Sequence, residues 1–278
     1  MDHRNNEIEQ IARELRIDIA KMFYISKTGH FAPALSCVDI FAELYFDGII
    51  DYEKRFSEDR DRVILSKGHA CAALYAVLAK AEYFPREALG SFYQKDSLLG
   101  GHPNVALPGI ETATGALGHG ICFATGTAMA AKLDHKDFYT YVILGDGESE
   151  EGSVWEAVQF AGKEKLNKLI VIIDYNKLQA SDRVEQLSPL EPIKEKWEAF
   201  GWSVLSVDGH DFGKLHDAFL TAKGSQSCPT IIIAETIKGK GLSLAENKPE
   251  WHSRAPRDHE WDIVCRELGI ERAELEKI

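Results

Sequence analysis

Residues 139–147 read YTYVILGDG, an apolar run that ends in the turn Gly145-Asp146-Gly147. The run lacks the polar and apolar alternation of a half-exposed strand, which favours a strand buried on both faces of a parallel sheet. A helical pattern begins around Glu151, directly after the turn. The turn is therefore predicted to lie at the carboxyl edge of the sheet, where α/β proteins bind their ligands.

The rest of the chain continues this alternation of strand and helix. Further apolar runs lie at 63–65, 169–173, 203–207 and 230–234. Helical patterns lie at 7–26, 36–48, 69–83, 151–165, 191–200 and 211–222. This order predicts an α/β fold with a mostly parallel central sheet and helices on both faces. No repeat or linker marks a boundary, so residues 1–278 are predicted to form a single domain, with a helical extension at its C-terminus.

Composition narrows the possible partners. The net charge of −12 leaves no basic stripe for nucleic acid, so an anionic ligand has to be held by a bound cation or by backbone amides. The five cysteines are scattered and lack the spacing of a disulfide framework or a zinc site. No uncharged apolar run is long enough to span a membrane. We therefore expect a cytoplasmic protein without a nucleic-acid or membrane partner.

Two polar residues follow neighbouring strands of the predicted sheet. Asp146 comes after the first quoted strand, and Asn176 comes after the strand at 169–173. A dinucleotide-binding turn is the alternative, but Glu148, Glu150 and Glu151 would repel a bare pyrophosphate. Carboxylate and amide oxygens, completed by phosphate oxygens and water, suit Mg²⁺. The pattern therefore predicts a metal-bridged diphosphate at this edge.

Five of the ten histidines lie in glycine-rich or turn contexts: His30, His69, His102, His119 and His252. One such histidine is more often structural than functional. Several imidazoles around one pocket, however, suit proton transfer and the recognition of hydroxyl-rich anionic substrates. Zinc is the competing interpretation, but no HxxxH or CxxC spacing supports it.

Five segments resemble transketolase motifs and occur in transketolase order. They are SKGHACAALYAVL (66–78), GGHPN (100–104), TGALGHG (114–120), GDGESEEGSVWEA (145–157) and IDYNKL (173–178). The 28 residues between Gly147 and Asn176 (148–175) also match the spacing of the thiamine-diphosphate fingerprint GDG…N. The resemblance, which extends from residue 26 to 256, implies the diphosphate-binding (PP) fold of thiamine-diphosphate enzymes. It further implies Mg²⁺ and the transfer of a two-carbon ketol unit from a ketose phosphate to an aldose.

The same resemblance implies roles for individual residues. Asp146 and Asn176 would bind Mg²⁺ through their side chains, and Leu178 through its carbonyl. The expected cofactor contacts are His69, Gly115, Ala116, Leu117, Gly147, Asn176 and His252. The expected catalytic residues, which contact the sugar and assist proton transfer, are His30, His69, His102 and His252. Glu151 and Glu156 stand where the family has acidic residues between two active sites, although carboxylates are also favourable at any helix start.

The sequence departs from the family pattern in a few places. Residues 28–33 read TGHFAP, where the family commonly has the longer SGHPGAP. Lys67, Ala116 and His119 replace a usual asparagine, proline and glutamine. The metal ligands are unaffected, and His119 is interpreted as structural. The resemblance implies that these changes would alter which aldose acceptor is preferred.

Full-length transketolases continue, beyond the region resembling 252–256, into a pyrimidine-binding domain with the glutamate that activates the cofactor. Because this sequence ends at Ile278, the resemblance implies a split enzyme. A C-terminal transketolase subunit would supply the pyrimidine-binding half, in an α2β2 heterotetramer with active sites between unlike chains. The sequence does not settle the sugar phosphate substrate, and a specialised sugar, branched or sulfonated rather than a pentose phosphate, stays open.

Two alternatives remain open. An α subunit of a 2-oxo-acid dehydrogenase would share the metal fingerprint and the need for a second chain, although the KGHA and GGHP segments argue against it. A non-catalytic thiamine-diphosphate-binding subunit would retain the fold without the reaction.

Overall fold

The computed structural model describes residues 2–188 and 190–278. The helices are α1 (Asp2–Ser26), α2 (Phe31–Ser36), α3 (Val38–Phe46), α4 (Cys71–Lys80), α5 (His119–Leu133), α6 (Gly152–Lys163), α7 (Val184–Leu187), α8 (Ile193–Ala199), α9 (Phe212–Lys223) and α10 (Trp261–Leu268). The strands are β1 (Arg62–Leu65), β2 (Thr140–Gly145), β3 (Leu169–Tyr175), β4 (Ser203–Asp208) and β5 (Thr230–Glu235). Among the described residues, no helix is both long and apolar enough to cross a bilayer.

The strands form one sheet in the order β1-β2-β3-β5-β4, and each neighbouring pair is parallel. Gly145 at the end of β2 pairs with Asp174 of β3, which in turn pairs with Ala234 of β5. The residues that follow these three strands therefore meet at one edge of the sheet. The predicted proximity of Asp146 and Asn176 follows from this register.

Side chains from alternate positions of each strand enter two separate cores. In β2, Tyr141 and Ile143 pack with helices α1 to α4, α9 and α10, whereas Val142 and Leu144 pack with α5, α6 and α8. Both faces of the sheet are therefore covered by helices, as predicted. Because both faces of the sheet are buried, both sides of each strand carry apolar residues. The sequence therefore lacks the alternation of polar and apolar residues that marks a half-exposed strand.

Helix α5 was not predicted. Its sequence, HGICFATGTAMAAKL, is rich in alanine and other small residues, so it lacks a broad apolar stripe although alanine favours helix formation. Ile121, Ala124 and Ala128 pack against the sheet, while the opposite face carries Phe123, which is 49% exposed. The helix begins immediately after Gly118, whose φ is +76°.

Candidate active site

A cavity of about 600 Å³ opens at the carboxyl edge of the sheet, beside the ends of β2 and β3. Its walls include all the predicted site residues except one: His30, His69, His102, Gly115, Leu117, Asp146, Gly147, Asn176, Leu178 and His252. The exception is Ala116, which lies between two residues that do line the cavity. Residues far apart in the sequence thus converge on one space.

Four imidazoles form a cluster on one side of this cavity. The ring centroid of His30 lies 5.3 Å from that of His69, 5.5 Å from that of His252 and 6.4 Å from that of His102. Burial, followed by the charge of Lys67, lowers the pKa of His69. Burial and the neighbouring Lys238 lower the pKa of His252 to about 3. These two rings are therefore neutral at physiological pH, and each has one nitrogen that donates and one that accepts.

Lys238 is a site residue that the sequence did not reveal. Its Nζ atom lies 2.8 Å from Nδ1 of His252 and also donates to the carbonyl oxygens of Gln179 (2.7 Å) and Leu178 (3.2 Å). Burial, and then the charge of Lys67, lowers the pKa of Lys238 to about 8. Because the ammonium donates to Nδ1, the neutral ring of His252 carries its proton on Nε2. The only sequence signal was the position of Lys238 in the irregular segment after β5.

Asp146 is buried at the floor of the cavity. One carboxylate oxygen accepts the Gly147 N–H at 2.8 Å, and the other accepts the Lys177 N–H. Burial and the nearby Asp174 carboxylate raise the pKa of Asp146 to about 6 despite these bonds. Asp146 has no ion pair with any described side chain. A bound cation would therefore stabilise its charged form.

The neighbouring oxygens also suit a cation. Asn176 is buried beside Asp146, and the Leu178 carbonyl already accepts a bond from the Lys238 ammonium. A carboxylate, an amide oxygen and a carbonyl oxygen form the hard donor set that Mg²⁺ prefers. The residues at this edge therefore fit the predicted metal, although their role as ligands stays a prediction.

A buried ion pair lies directly behind the histidine cluster. Lys67 and Asp174 form this pair, and the Lys67 ammonium also donates to the Pro33 carbonyl at 3.1 Å. Thr236, after β5, donates to the other oxygen of Asp174. The pair thus connects the segment that carries His30, the turn that carries His69 and the end of β3. Lys67 has this connecting role although it departs from the family pattern.

Glu148 lines the cavity next to Gly147, and the protein holds its carboxylate with three hydrogen bonds. Its carboxylate is buried and accepts bonds from the Ser66 hydroxyl (2.5 Å), the Gly118 N–H (2.9 Å) and the Gly145 N–H (3.1 Å). It therefore joins the end of β1, the loop that carries Gly115 and Leu117, and the turn after β2.

The remaining predicted residues divide between the rim and the surface. Glu151 lines the cavity at the start of α6, whereas Glu156 is exposed one turn further along and does not. His119 is exposed, and its Nδ1 atom lies 3.0 Å from the Leu117 carbonyl. This contact agrees with a structural role for His119. Gln179 and Glu150 also line the cavity, although neither was predicted as a site residue. The side-chain amide of Gln179 donates a hydrogen bond of 2.6 Å to the Glu150 carboxylate.

The comparison with known families identifies the class of protein. Residues 4–277 match the family described as "Transketolase, thiamine diphosphate binding domain". The chain therefore belongs to the transketolase family, as its thiamine-diphosphate-binding domain, and the predicted family is confirmed. This finding favours transketolase over the α subunit of a 2-oxo-acid dehydrogenase.

Individual relatives are transketolase subunits of similar length. One is an apulose-4-phosphate transketolase subunit of Phocaeicola vulgatus, 38% identical over 271 residues that cover 97% of this chain and 96% of that protein. Another is the 6-deoxy-6-sulfo-D-fructose transketolase subunit SqwG of a Clostridium species, 40% identical over 275 residues that cover 98% of each. The solved transketolase of Campylobacter jejuni matches with a TM-score of 0.89 and 32% identity, over 95% of this chain and 43% of the longer chain.

Proposed function

We propose that this chain is the diphosphate-binding subunit of a two-subunit transketolase, which transfers a two-carbon ketol unit from a ketose or ketose phosphate to an aldose. The observation that carries the proposal is the convergence of four imidazoles and the Asp146–Asn176 pair on one cavity. The relatives that match along their whole length are themselves transketolase subunits.

Within this proposal, the cavity edge holds thiamine diphosphate and Mg²⁺. Asp146, Asn176 and the Leu178 carbonyl would hold the metal, and Gly147 would contact the diphosphate. His69, His252 and the loop Gly115-Ala116-Leu117 contact the rest of the cofactor. When bound, thiamine diphosphate supplies the electron sink for carbon–carbon cleavage next to a carbonyl group.

The histidines manage protons and orient the sugar. The lowered pKa of His69 and of His252 keeps both rings neutral, so each can accept or donate a proton during the reaction. The Nε2–H of His252 points away from Lys238 and is free to donate. The Nδ1 atom of His30 is buried and has no hydrogen-bond partner among the described residues. His102 lies on the more exposed side of the cluster and contacts the substrate as it enters.

The proposed partner is a C-terminal transketolase subunit that supplies the pyrimidine-binding half. Residues 1–278 then form a single PP domain, and an α2β2 heterotetramer places each active site between unlike chains. Helices α5 and α6 both begin at the cavity rim and expose Phe123 (49%) and Phe160 (43%) along their outer faces. Exposed aromatic side chains next to an open active site support a partner on this surface. The free cysteines suit the reducing cytoplasm in which we place this complex.

The identity of the sugar donor is a separate and more specific part of the proposal. The two similar relatives share 38% and 40% identity with this chain but are named for different sugars. Overall similarity therefore does not select between them. We propose a ketose or ketose phosphate donor as the class and expect a panel of linear, branched and sulfonated ketoses to identify the member.

The test begins with the complex isolated from its native cell through a tag on this chain. An equal-sized partner should co-purify, and the complex should release an aldose from one ketose of the panel only with thiamine diphosphate, Mg²⁺ and an acceptor. Xylulose 5-phosphate, with and without ribose 5-phosphate, is the first substrate pair. An ordinary transfer rate by the isolated chain would contradict the split enzyme. Full activity of the complex after Asp146→Ala would instead indicate a non-catalytic subunit.

A further inference from the structure

A second group of potential metal ligands lies in the layer of helices that packs on the other face of the sheet from α5 and α6. Glu43 of α3, Asp47 just after α3 and His216 of α9 offer ligand atoms within 4.8 Å of one another. Nδ1 of His216 is 2.8 Å from Glu43 Oε1 and 2.9 Å from Asp47 Oδ2. The side chains of Glu43, Asp47 and His216 are 0%, 8% and 17% exposed, so the group is largely withdrawn from water.

The hydrogen bonds within this group are incomplete. Glu43 Oε2 is buried and has no hydrogen-bond partner among the described residues, whereas Asp47 Oδ2 has ion-pair contacts with Arg4 and His216 but no hydrogen bond of good geometry. A single Nδ1–H of His216 cannot point at both neighbouring carboxylates. Two buried carboxyl groups side by side are stabilised by a proton or a cation between them.

We propose that Glu43, Asp47 and His216 bind a divalent transition-metal ion, at a site separate from the catalytic cavity. One imidazole nitrogen and two carboxylate oxygens form a donor set suited to Zn²⁺ and its neighbours, whereas the all-oxygen set at Asp146 suits Mg²⁺. The ion lies between the two carboxyl groups, gives the unpaired Glu43 carboxylate a partner and links α3 to α9.

The geometry requires little movement. Bonds of about 2.0–2.1 Å in a tetrahedral site separate neighbouring ligand atoms by about 3.3 Å. The present distances of 2.8 and 2.9 Å from Nδ1 to the carboxylate oxygens would open by roughly half an ångström, within the reach of side-chain rotation. The partial exposure of His216 leaves room for water as a fourth ligand.

Arg4 is the competing cation at this site. Its Nε atom lies 3.3 Å from Asp47 Oδ2, but its side chain is 35% exposed and begins in the first turn of α1. The contact is partly buried, because the Nε atom of Arg4 and the side chain of Asp47 (8% exposed) are both withdrawn from water, but Nε forms no hydrogen bond with any described residue. The metal therefore has to compete with Arg4 for Asp47, and it would replace this contact with α1 by a link between α3 and α9.

The decisive experiment is a crystal of the full chain soaked in ZnCl₂ and recorded at the zinc absorption edge. We expect an anomalous peak between Glu43, Asp47 and His216. A signal confined to the cluster of His30, His69, His102 and His252, or to surface histidines, would overturn the proposal. This measurement uses the wild-type chain and does not depend on the folding of a variant.

Solution binding gives a second test. Equilibrium dialysis against Zn²⁺ should show one ion fewer per chain in Asp47→Asn and His216→Ala than in the wild type, and the rise in Tm on adding Zn²⁺ should shrink in both. Asp217→Asn, an exposed neighbour on α9, is the matched control and should retain the ion. Equal stoichiometry in the wild type and in both site variants would overturn the proposal.

Discussion

The ammonium group of Lys238 lies 2.8 Å from Nδ1 of His252, although a loop of more than a dozen residues separates the two in the chain. Lys238 therefore orients the imidazole that we expect to handle a proton, and it presents the Nε2–H to the cavity. The same ammonium group contacts the Leu178 carbonyl, a predicted Mg²⁺ ligand. The Lys238 ammonium group thus connects His252, the predicted acid–base residue, with the predicted metal site.

We predict that Lys238→Met lowers kcat of the two-subunit complex by about tenfold or more, because His252 loses the donor that fixes its tautomer and its position. Steady-state kinetics with a saturating donor measure the change. Lys240→Met is the control, since Lys240 lies in the same segment but does not line the cavity. Equal kcat values for wild type and Lys238→Met would remove Lys238 from the active site.

Asp146→Asn should weaken the Mg²⁺-dependent binding of thiamine diphosphate by more than about tenfold, because the neutral amide cannot offset the charge of the metal. Fluorescence titration of the complex with cofactor, at several Mg²⁺ concentrations, provides the measurement. Asp137→Asn changes an exposed carboxylate before β2, at the opposite edge of the sheet, and should have no effect. Unaltered cofactor affinity in Asp146→Asn would contradict the assigned metal site.

Gly115 should not tolerate even a methyl group. Its φ is +143°, and an added Cβ atom would lie 2.6 Å from Cδ2 of His102. Gly115→Ala is expected to reduce stability by about 1–3 kcal/mol through backbone strain and to lower kcat/KM by displacing His102. Denaturant unfolding and kinetics measure the two effects. Gly126→Ala in α5, where a Cβ atom meets nothing within 4 Å, should stabilise the helix by about 0.5–1 kcal/mol.

Asp39 should make stability depend on pH in the acidic range. Its carboxylate pairs with Arg16 (2.8 and 2.9 Å) and with Nδ1 of His210 (2.7 Å). Burial raises the pKa of Asp39, but Arg16 and His210 outweigh burial and lower it to about 2. Because the pKa in the folded state is depressed, the stabilisation is present above the unfolded value of about 4 and is lost as the pH falls towards the folded value.

Asp39→Asn removes the titrating carboxylate and therefore tests this pH dependence. Urea denaturation should show a loss of roughly 2 kcal/mol at neutral pH, and the difference from the wild type should shrink between about pH 5 and pH 3. Parallel stability curves for the two proteins across that range would show that Asp39 is not the group responsible.

Phe123→Asp should abolish or strongly weaken association with the partner subunit while leaving the Tm of the isolated chain nearly unchanged. The exposed ring contributes little to the fold of the chain, whereas a charge at the centre of an interface is costly. Size-exclusion chromatography of the mixed subunits measures the association. Phe56→Asp is the control, because Phe56 is exposed on the opposite side of the sheet, beside Tyr83. Normal assembly of Phe123→Asp would move the interface elsewhere.

Local patterns were sufficient to predict the sheet and the edge at which the predicted metal ligands lie. Uninterrupted apolar runs predicted β2, β3 and β5 because a strand buried on both faces admits few polar side chains. The positions of Asp146 and Asn176 followed, since the carboxyl ends of parallel strands meet at one edge. Helix α5 escaped prediction because its small residues pack closely against the sheet without forming a broad apolar stripe.

The tertiary structure alone decided which distant side chains meet. Lys238 reaches His252 and Leu178, Glu148 turns inwards to Ser66 and Gly118, and Glu43 and Asp47 meet His216 across two helices. No local spacing encodes these contacts, because each depends on how separate elements pack against the sheet. Burial then sets the charge state of each group, since the energy of a carboxylate, an ammonium or an imidazole depends on what surrounds it in the folded chain.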